Sequence, residues 1–114
     1  MPLRITTRQT DDVTILDLSG RIVLGEESNT LRETLKGLAN RNEKKVLLNL
    51  ADVSYVDSSG LGTLASGYLA LANQQGRLKL LNVTKKIREL MEFTKLLTVF
   101  EVFDDEAAAL RSFQ

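Results

Sequence analysis

One stretch of the chain, residues 46–62, constrains the fold more than any other. Val46–Leu50 is a short, nearly continuous apolar run, which is typical of a central strand covered on both faces. The hexapeptide Asp57-Ser58-Ser59-Gly60-Leu61-Gly62 follows it, and from Leu61 onward apolar residues recur at helical spacing. This order predicts a strand, a short loop and a helix, and it puts two serine hydroxyls at the N-terminus of that helix.

The rest of the chain alternates between strand and helix patterns in the order β-β-α-β-α-β-α-β-α. Apolar patterns predict strands at Leu3–Arg8, Val13–Leu18, Val46–Leu50, Leu78–Leu81 and Val99–Phe103. Helical spacing predicts helices over about residues 27–40, from Leu61 toward Gly76, after Thr84 and after Asp104. Strand-helix-strand units of this length usually form parallel crossovers. We therefore predict an α/β fold in a single domain, residues 1–114, with a mixed sheet of about five strands and about four helices.

Turn and capping residues refine this prediction at three places. Thr10-Asp11-Asp12 is turn chemistry between the first two strands and predicts an N-terminal β-hairpin. Glu26, Glu27 and Ser28 supply acids and a cap for the first turn of the first helix. Thr84 and Asp104 are the caps expected for the third and fourth helices.

Composition excludes several classes of function. Fifteen basic and fifteen acidic residues cancel, so no net field attracts nucleic acid or an anionic membrane. The chain has neither histidine nor cysteine, which excludes Ser-His-Asp catalysis, phosphohistidine relays, thiolate chemistry and metal sites built on those side chains. We expect no enzyme activity, cofactor or metal. No apolar run is long enough to insert in a membrane, and we expect a cytoplasmic protein.

The serine pair has two interpretations that are compatible with each other. Ser58 is an N-cap that accepts hydrogen bonds from first-turn amides, or it is a phosphate acceptor, because the positive end of a helix favours an added anion. Spacing alone does not distinguish Ser58 from Ser59, and Thr63 is a third candidate. Asp57 either caps the helix or orients the Ser58 loop.

Two glycines in the first helical turn need a reason, because glycine destabilises a helix by about 1 kcal/mol relative to alanine. Gly60 and Gly62 indicate close approach by another backbone, either within the domain or from a partner.

The element order, residues 49–62, Leu18-Ser19-Gly20 and Leu80-Leu81-Asn82-Val83 together resemble the STAS-domain anti-sigma-factor antagonists. The resemblance covers essentially the whole chain and implies a STAS-type domain. It implies that Ser58 is phosphorylated by a partner that is both anti-sigma factor and serine kinase. The unphosphorylated antagonist binds that partner and frees a sigma factor, and a metal-dependent serine phosphatase resets the cycle. The residues that support the phosphosite are Asp57, Ser59, Gly60, Leu61 and Gly62.

The resemblance also implies where the partner binds. The expected contacts are Val23, Leu24, Gly25, Glu26, Asp57 and Ser58. Family members commonly carry an acid in the loop after the second strand, where this chain has Val23, which indicates a different partner or an altered switch. Leu24 lies in a glycine-bounded loop, and we expect it to be an exposed apolar contact. We expect a monomer or a weak dimer.

Two other functions compete with a phosphorylation-controlled binding switch. A STAS domain can be a structural or ligand-binding subunit of a lipid transporter or sensory assembly, and the serines are then only caps. A response-regulator receiver has a similar length and an acid after its third strand. This chain, however, starts with a hairpin, and Asp11-Asp12 falls in a turn instead of following the first strand as a magnesium-binding pair.

Overall fold

The computed structural model describes residues 3–114 and confirms the predicted element order and the mixed sheet. The strands are β1 (Arg4–Thr10), β2 (Val13–Ile22), β3 (Lys45–Val56), β4 (Arg77–Leu81) and β5 (Val102–Phe103). The helices are α1 (Glu26–Asn40), α2 (Ser58–Asn73), α3 (Lys85–Phe93) and α4 (Glu106–Ser112), with one turn of 3₁₀ helix, Leu96–Thr98, between α3 and β5.

The five strands lie side by side in the order in which they occur in the sequence. β1 and β2 form the predicted antiparallel hairpin, and Asp11 adopts a left-handed φ of 57° in its turn. β2, β3, β4 and β5 are parallel, with Leu48 opposite Leu16 on one side and Leu80 on the other. Because parallel strands end at the same edge, the segments after β2, β3 and β4 meet there.

Each face of the sheet has its own core. Leu16, Leu48 and Leu80 are buried on the face covered by α1, α2 and α3. Alternate residues, such as Ile15 and Leu47, point to the opposite face, where they pack with residues of the C-terminal segment. β3 is covered on both faces, as its nearly continuous apolar sequence predicts.

The bounds of β2, β3 and β5 differ from the sequence predictions. β2 and β3 extend to Ile22 and Val56 because they pair with each other beyond their apolar runs, through two register shifts. β5 contains only Val102–Phe103, so the predicted strand at Val99–Phe103 is wrong in its first half. Val99 instead has a right-handed helical conformation after the 3₁₀ turn, and strand pairing with β4 begins at Val102, which lies opposite Leu80.

Three capping predictions have different outcomes. Thr84 caps α3 as expected, with its hydroxyl accepting a hydrogen bond from the Ile87 N–H. Asp104 does not cap α4, because the extended residue before that helix is Asp105, whose carboxylate accepts from the Ala108 N–H at 2.9 Å. The position before α1 is Gly25, and Ser28 lies inside that helix, so the predicted serine cap is also wrong.

Candidate functional site

Asp57 joins the N-terminus of α2 to the loop after β2. Its backbone is extended, and its Oδ1 accepts a hydrogen bond from the Gly60 N–H at 2.8 Å. Its Oδ2 accepts from the Leu24 N–H at 3.0 Å. These backbone donors, Leu24 first and then Gly60, lower the pKa of Asp57. The carboxylate is therefore ionised at neutral pH, and it both caps the helix and orients the neighbouring loop.

Gly60 permits a close approach between α2 and the end of β2. A Cβ atom at Gly60 would lie 2.2 Å from the carbonyl oxygen of Ile22 and 2.9 Å from Cγ1 of Val56. The same Ile22 carbonyl accepts a hydrogen bond from the Asp57 N–H at 3.3 Å. The predicted close approach is thus within the domain. At Gly62 an added Cβ would meet nothing within 4 Å, so close packing within the domain does not account for this glycine.

The three candidate hydroxyls differ in accessibility. Ser58 is the first residue of α2 and is exposed, and its hydroxyl has no hydrogen-bond partner among residues 3–114. Ser59 is half-buried. Thr63 is fully buried, and its Oγ1 accepts a hydrogen bond from Nη2 of Arg32 at 3.2 Å. Because Asp57 occupies the capping position, Ser58 is not the N-cap, and its hydroxyl is the one best placed to react.

The loop after β2 presents the residues expected to contact a partner. Val23 is half-buried, and its carbonyl accepts hydrogen bonds from the backbone N–H and the hydroxyl of Ser28. Leu24 projects outward with 77% of its surface exposed. Gly25, with φ at 109°, and Glu26 are also exposed. An exposed apolar side chain therefore lies in the loop that Asp57 holds by a hydrogen bond.

A groove of about 430 Å³ that Ser58 helps to line lies between the end of β3 and α3. The residues that line it are Ser54, Tyr55, Val56, Asp57, Ser58, Lys86, Ile87 and Leu90. Tyr55 is half exposed, and Lys86 is exposed. Sequence reasoning missed this groove. The sequence contained no signal for it, because strand and helix come together here only in the folded chain.

Two features are absent from the described residues. Residues 3–114 contain no cluster of three or more metal-ligating acids, histidines or cysteines. In the same range no helix combines the length and apolar character needed to cross a membrane.

Comparison with known proteins identifies the family of the chain. A family model described as the STAS domain matches residues 4–109. The chain belongs to the STAS-domain family of anti-sigma-factor antagonists. One STAS relative, the anti-sigma-B factor antagonist of Staphylococcus epidermidis, is 31% identical over 102 residues, which is 90% of this chain and 94% of the relative. The family consists of non-enzymatic regulatory proteins, so this chain is a regulatory STAS domain.

Solved STAS structures share the fold at lower sequence identity. An anti-sigma factor antagonist from Mycobacterium paratuberculosis is 19% identical to this chain, with a TM-score of 0.82. The match covers 96% of this chain and 92% of the Mycobacterium chain. The Bacillus cell fate determinant SpoIIAA in its phosphorylated form is 19% identical, with a TM-score of 0.76. This match covers 97% of the present chain and 100% of the SpoIIAA chain. At these identities the likeness establishes the fold alone.

Proposed function

We propose that this STAS domain is an anti-sigma-factor antagonist whose binding is switched by phosphorylation of Ser58. The observation that carries the proposal is the geometry of Ser58. Its hydroxyl is exposed and free of hydrogen bonds within the described chain, and it lies beside Asp57, which holds the Leu24 loop. Ser59 is half-buried and Thr63 is buried, so Ser58 is the acceptor that a kinase reaches most easily.

The charge of the modified residue explains how the switch operates. A phosphoserine carries about −1.5 to −2 charges at neutral pH, and here it stands next to the ionised carboxylate of Asp57. A partner that packs closely on Leu24 and Ser58 must then bury two adjacent anions. Allosteric and regulatory couplings of this kind are typically about 1–3 kcal/mol, which is enough to release a partner of moderate affinity.

The partner implied is an anti-sigma factor that is also a serine kinase. The unphosphorylated chain binds this anti-sigma factor, which then releases the sigma factor. Phosphorylation of Ser58 makes the chain dissociate from the anti-sigma factor. A metal-dependent serine phosphatase then restores the binding form. The proposed switch controls a sigma factor and therefore transcription, and we propose a cytoplasmic location for the chain on this ground. The names of the curated relatives, which are anti-sigma factor antagonists, support this proposal.

Binding measurements with a purified anti-sigma kinase from the source organism test the proposal. Ser58→Ala is expected to bind the kinase as the natural chain does but to resist release when ATP is added. Ser58→Asp is expected to bind at least about tenfold more weakly, a loss of about 1.4 kcal/mol. Ser59→Ala is the matched control and should still be released by ATP. Equal affinity for Ser58→Asp and the natural chain would contradict the proposed role of charge.

Protein isolated from its own cells tests the alternative, a structural or ligand-binding subunit of a lipid transporter or sensory assembly. That function predicts no phosphate on Ser58 in protein isolated from its own cells and stable copurification with the other subunits. Phosphate mapped to Ser58 by mass spectrometry would contradict it.

A further inference from the structure

The groove beside Ser58 is lined by a lysine side chain, Lys86, that has no role in the proposed switch. Lys86 of α3 and Ser58 of α2 line the same cavity, although they are far apart in the sequence. The ionisable groups that line it are Tyr55, Asp57 and Lys86. Lys86 is exposed and forms no ion pair with any residue between 3 and 114. It is therefore the available positive charge on the groove that Ser58 shares.

The position of Lys86 within its helix is unusual. Lys85 and Lys86 are the first two residues of α3, and the first turn of this helix contains no acid. The positive end of a helix dipole favours acidic side chains and disfavours lysine. A residue choice that opposes local preference without a compensating contact is expected mainly at functional positions. Together, the lysine and the end of α3 make this wall of the groove positive.

We propose that Lys86 holds the phosphate of phospho-Ser58 within the same molecule; the proposal rests on phosphorylation at Ser58. Asp57 already accepts the Gly60 N–H at 2.8 Å and the Leu24 N–H at 3.0 Å, and its negative charge repels the phosphate. Asp57 and Lys86 both line the groove, so this repulsion favours the side of the groove formed by Lys86, whose ammonium donates hydrogen bonds to the phosphate oxygens.

This pairing has a structural consequence for the switch. In the phosphorylated chain the phosphate and Lys86 together cover the mouth of the groove formed by Tyr55, Ile87 and Leu90. In the unphosphorylated chain the groove and the lysine are open to a partner. Phosphorylation then does more than add charge at the contact, because it also closes an apolar surface next to it.

Phosphorus NMR of the full chain with phosphoserine installed genetically at position 58 tests the pairing. A nearby cation stabilises the dianion, so replacing Lys86 should raise the second pKa of the phosphate. We expect Lys86→Gln to raise it by about 0.3–0.7 of a pH unit, the range for a partly exposed ion pair. Lys86→Arg should keep the value of the natural chain.

Lys85→Gln is the matched control, because Lys85 is an exposed neighbour that does not line the groove. We expect it to change the phosphate pKa much less than Lys86→Gln does. Equal values for Lys86→Gln and the natural chain, or equal shifts for the two glutamine variants, would overturn the pairing. The measurement does not depend on a kinase, so its failure is distinct from a failure to find phosphate on Ser58 in cells.

Discussion

At the scale of single residues, Asp57 and Gly60 determine the geometry around Ser58. The sequence left two roles open for Asp57, capping α2 or orienting the loop, and the structure shows that its two carboxylate oxygens perform both. Gly60 allows the Ile22 carbonyl to approach the first turn of α2. Ser58 is consequently free of a structural task, and its hydroxyl is available for modification.

Replacing Gly60 with alanine should destabilise the fold. The new Cβ would meet a backbone carbonyl at 2.2 Å, which cannot move aside as a flexible side chain does. We expect a loss of about 1–3 kcal/mol in the free energy of unfolding, measured by urea denaturation. Gly62→Ala is the matched control, because its Cβ has open space, and we expect it to stabilise by up to about 1 kcal/mol. Similar stability changes for both variants would contradict the close approach.

At the scale of elements, α4 is held on its face of the sheet by Phe113 and Lys79. Phe113 is buried to 1% exposure, and the Lys79 ammonium lies 4.7 Å from the centre of its ring. Lys79 also donates hydrogen bonds to the carbonyl and hydroxyl oxygens of Ser112 and pairs with Glu101 at 2.7 Å. A short helix of seven residues therefore has its position set by tertiary contacts, because an isolated helix of this length is unstable.

Two phenylalanine variants measure this docking. Phe113→Ala should lower the free energy of unfolding by about 3–5 kcal/mol, because it leaves a cavity beneath α4. It should also speed amide hydrogen exchange in residues 106–112. Phe93→Ala makes the same chemical change at a side chain that is 85% exposed, and we expect a change within about 0.5 kcal/mol. Slow exchange in α4 after Phe113→Ala would show that other contacts hold the helix.

At the scale of the whole molecule, ion pairs across the sheet make stability depend on pH. Arg8 on β1 pairs with Asp17 on β2 and with Glu106 on α4. Hydrogen bonds from Arg8 lower the pKa of both carboxyl groups. A carboxyl group with a lowered folded-state pKa stabilises the fold above its unfolded pKa, and that stabilisation is lost as pH falls through the folded value.

We therefore expect the urea midpoint to fall below about pH 4, the region where unfolded carboxyl groups gain protons, by a modest amount because these ion pairs are partly exposed. Arg8→Gln should be less stable than the natural chain at pH 7 but should lose less on acidification, because Asp17 and Glu106 no longer have their cation. Arg4→Gln on the same strand is the control, since Arg4 forms no ion pair within residues 3–114. Parallel pH profiles for Arg8→Gln and the natural chain would contradict the assignment.

The sequence by itself determined the order of elements, the mixed sheet and the position of Ser58 at the N-terminus of α2. These follow from local periodicity and turn chemistry, of which the run Val46–Leu50 and the turn at Asp11-Asp12 are the clearest cases. The sequence did not determine the bounds of β5, because Val99 follows a 3₁₀ turn and has a helical conformation in place of the predicted extended one. It also did not determine that Asp105, and not Asp104, caps α4.

Only the tertiary structure decided which residues surround Ser58. The Leu24 loop and the start of α2 are joined by a hydrogen bond between residues 33 positions apart. Lys86 reaches the same groove because β3 and β4 are adjacent parallel strands whose following segments meet at one edge of the sheet. Periodicity reports which face of an element is buried, whereas neighbours across the sheet edge depend on strand order and register, which no local pattern contains.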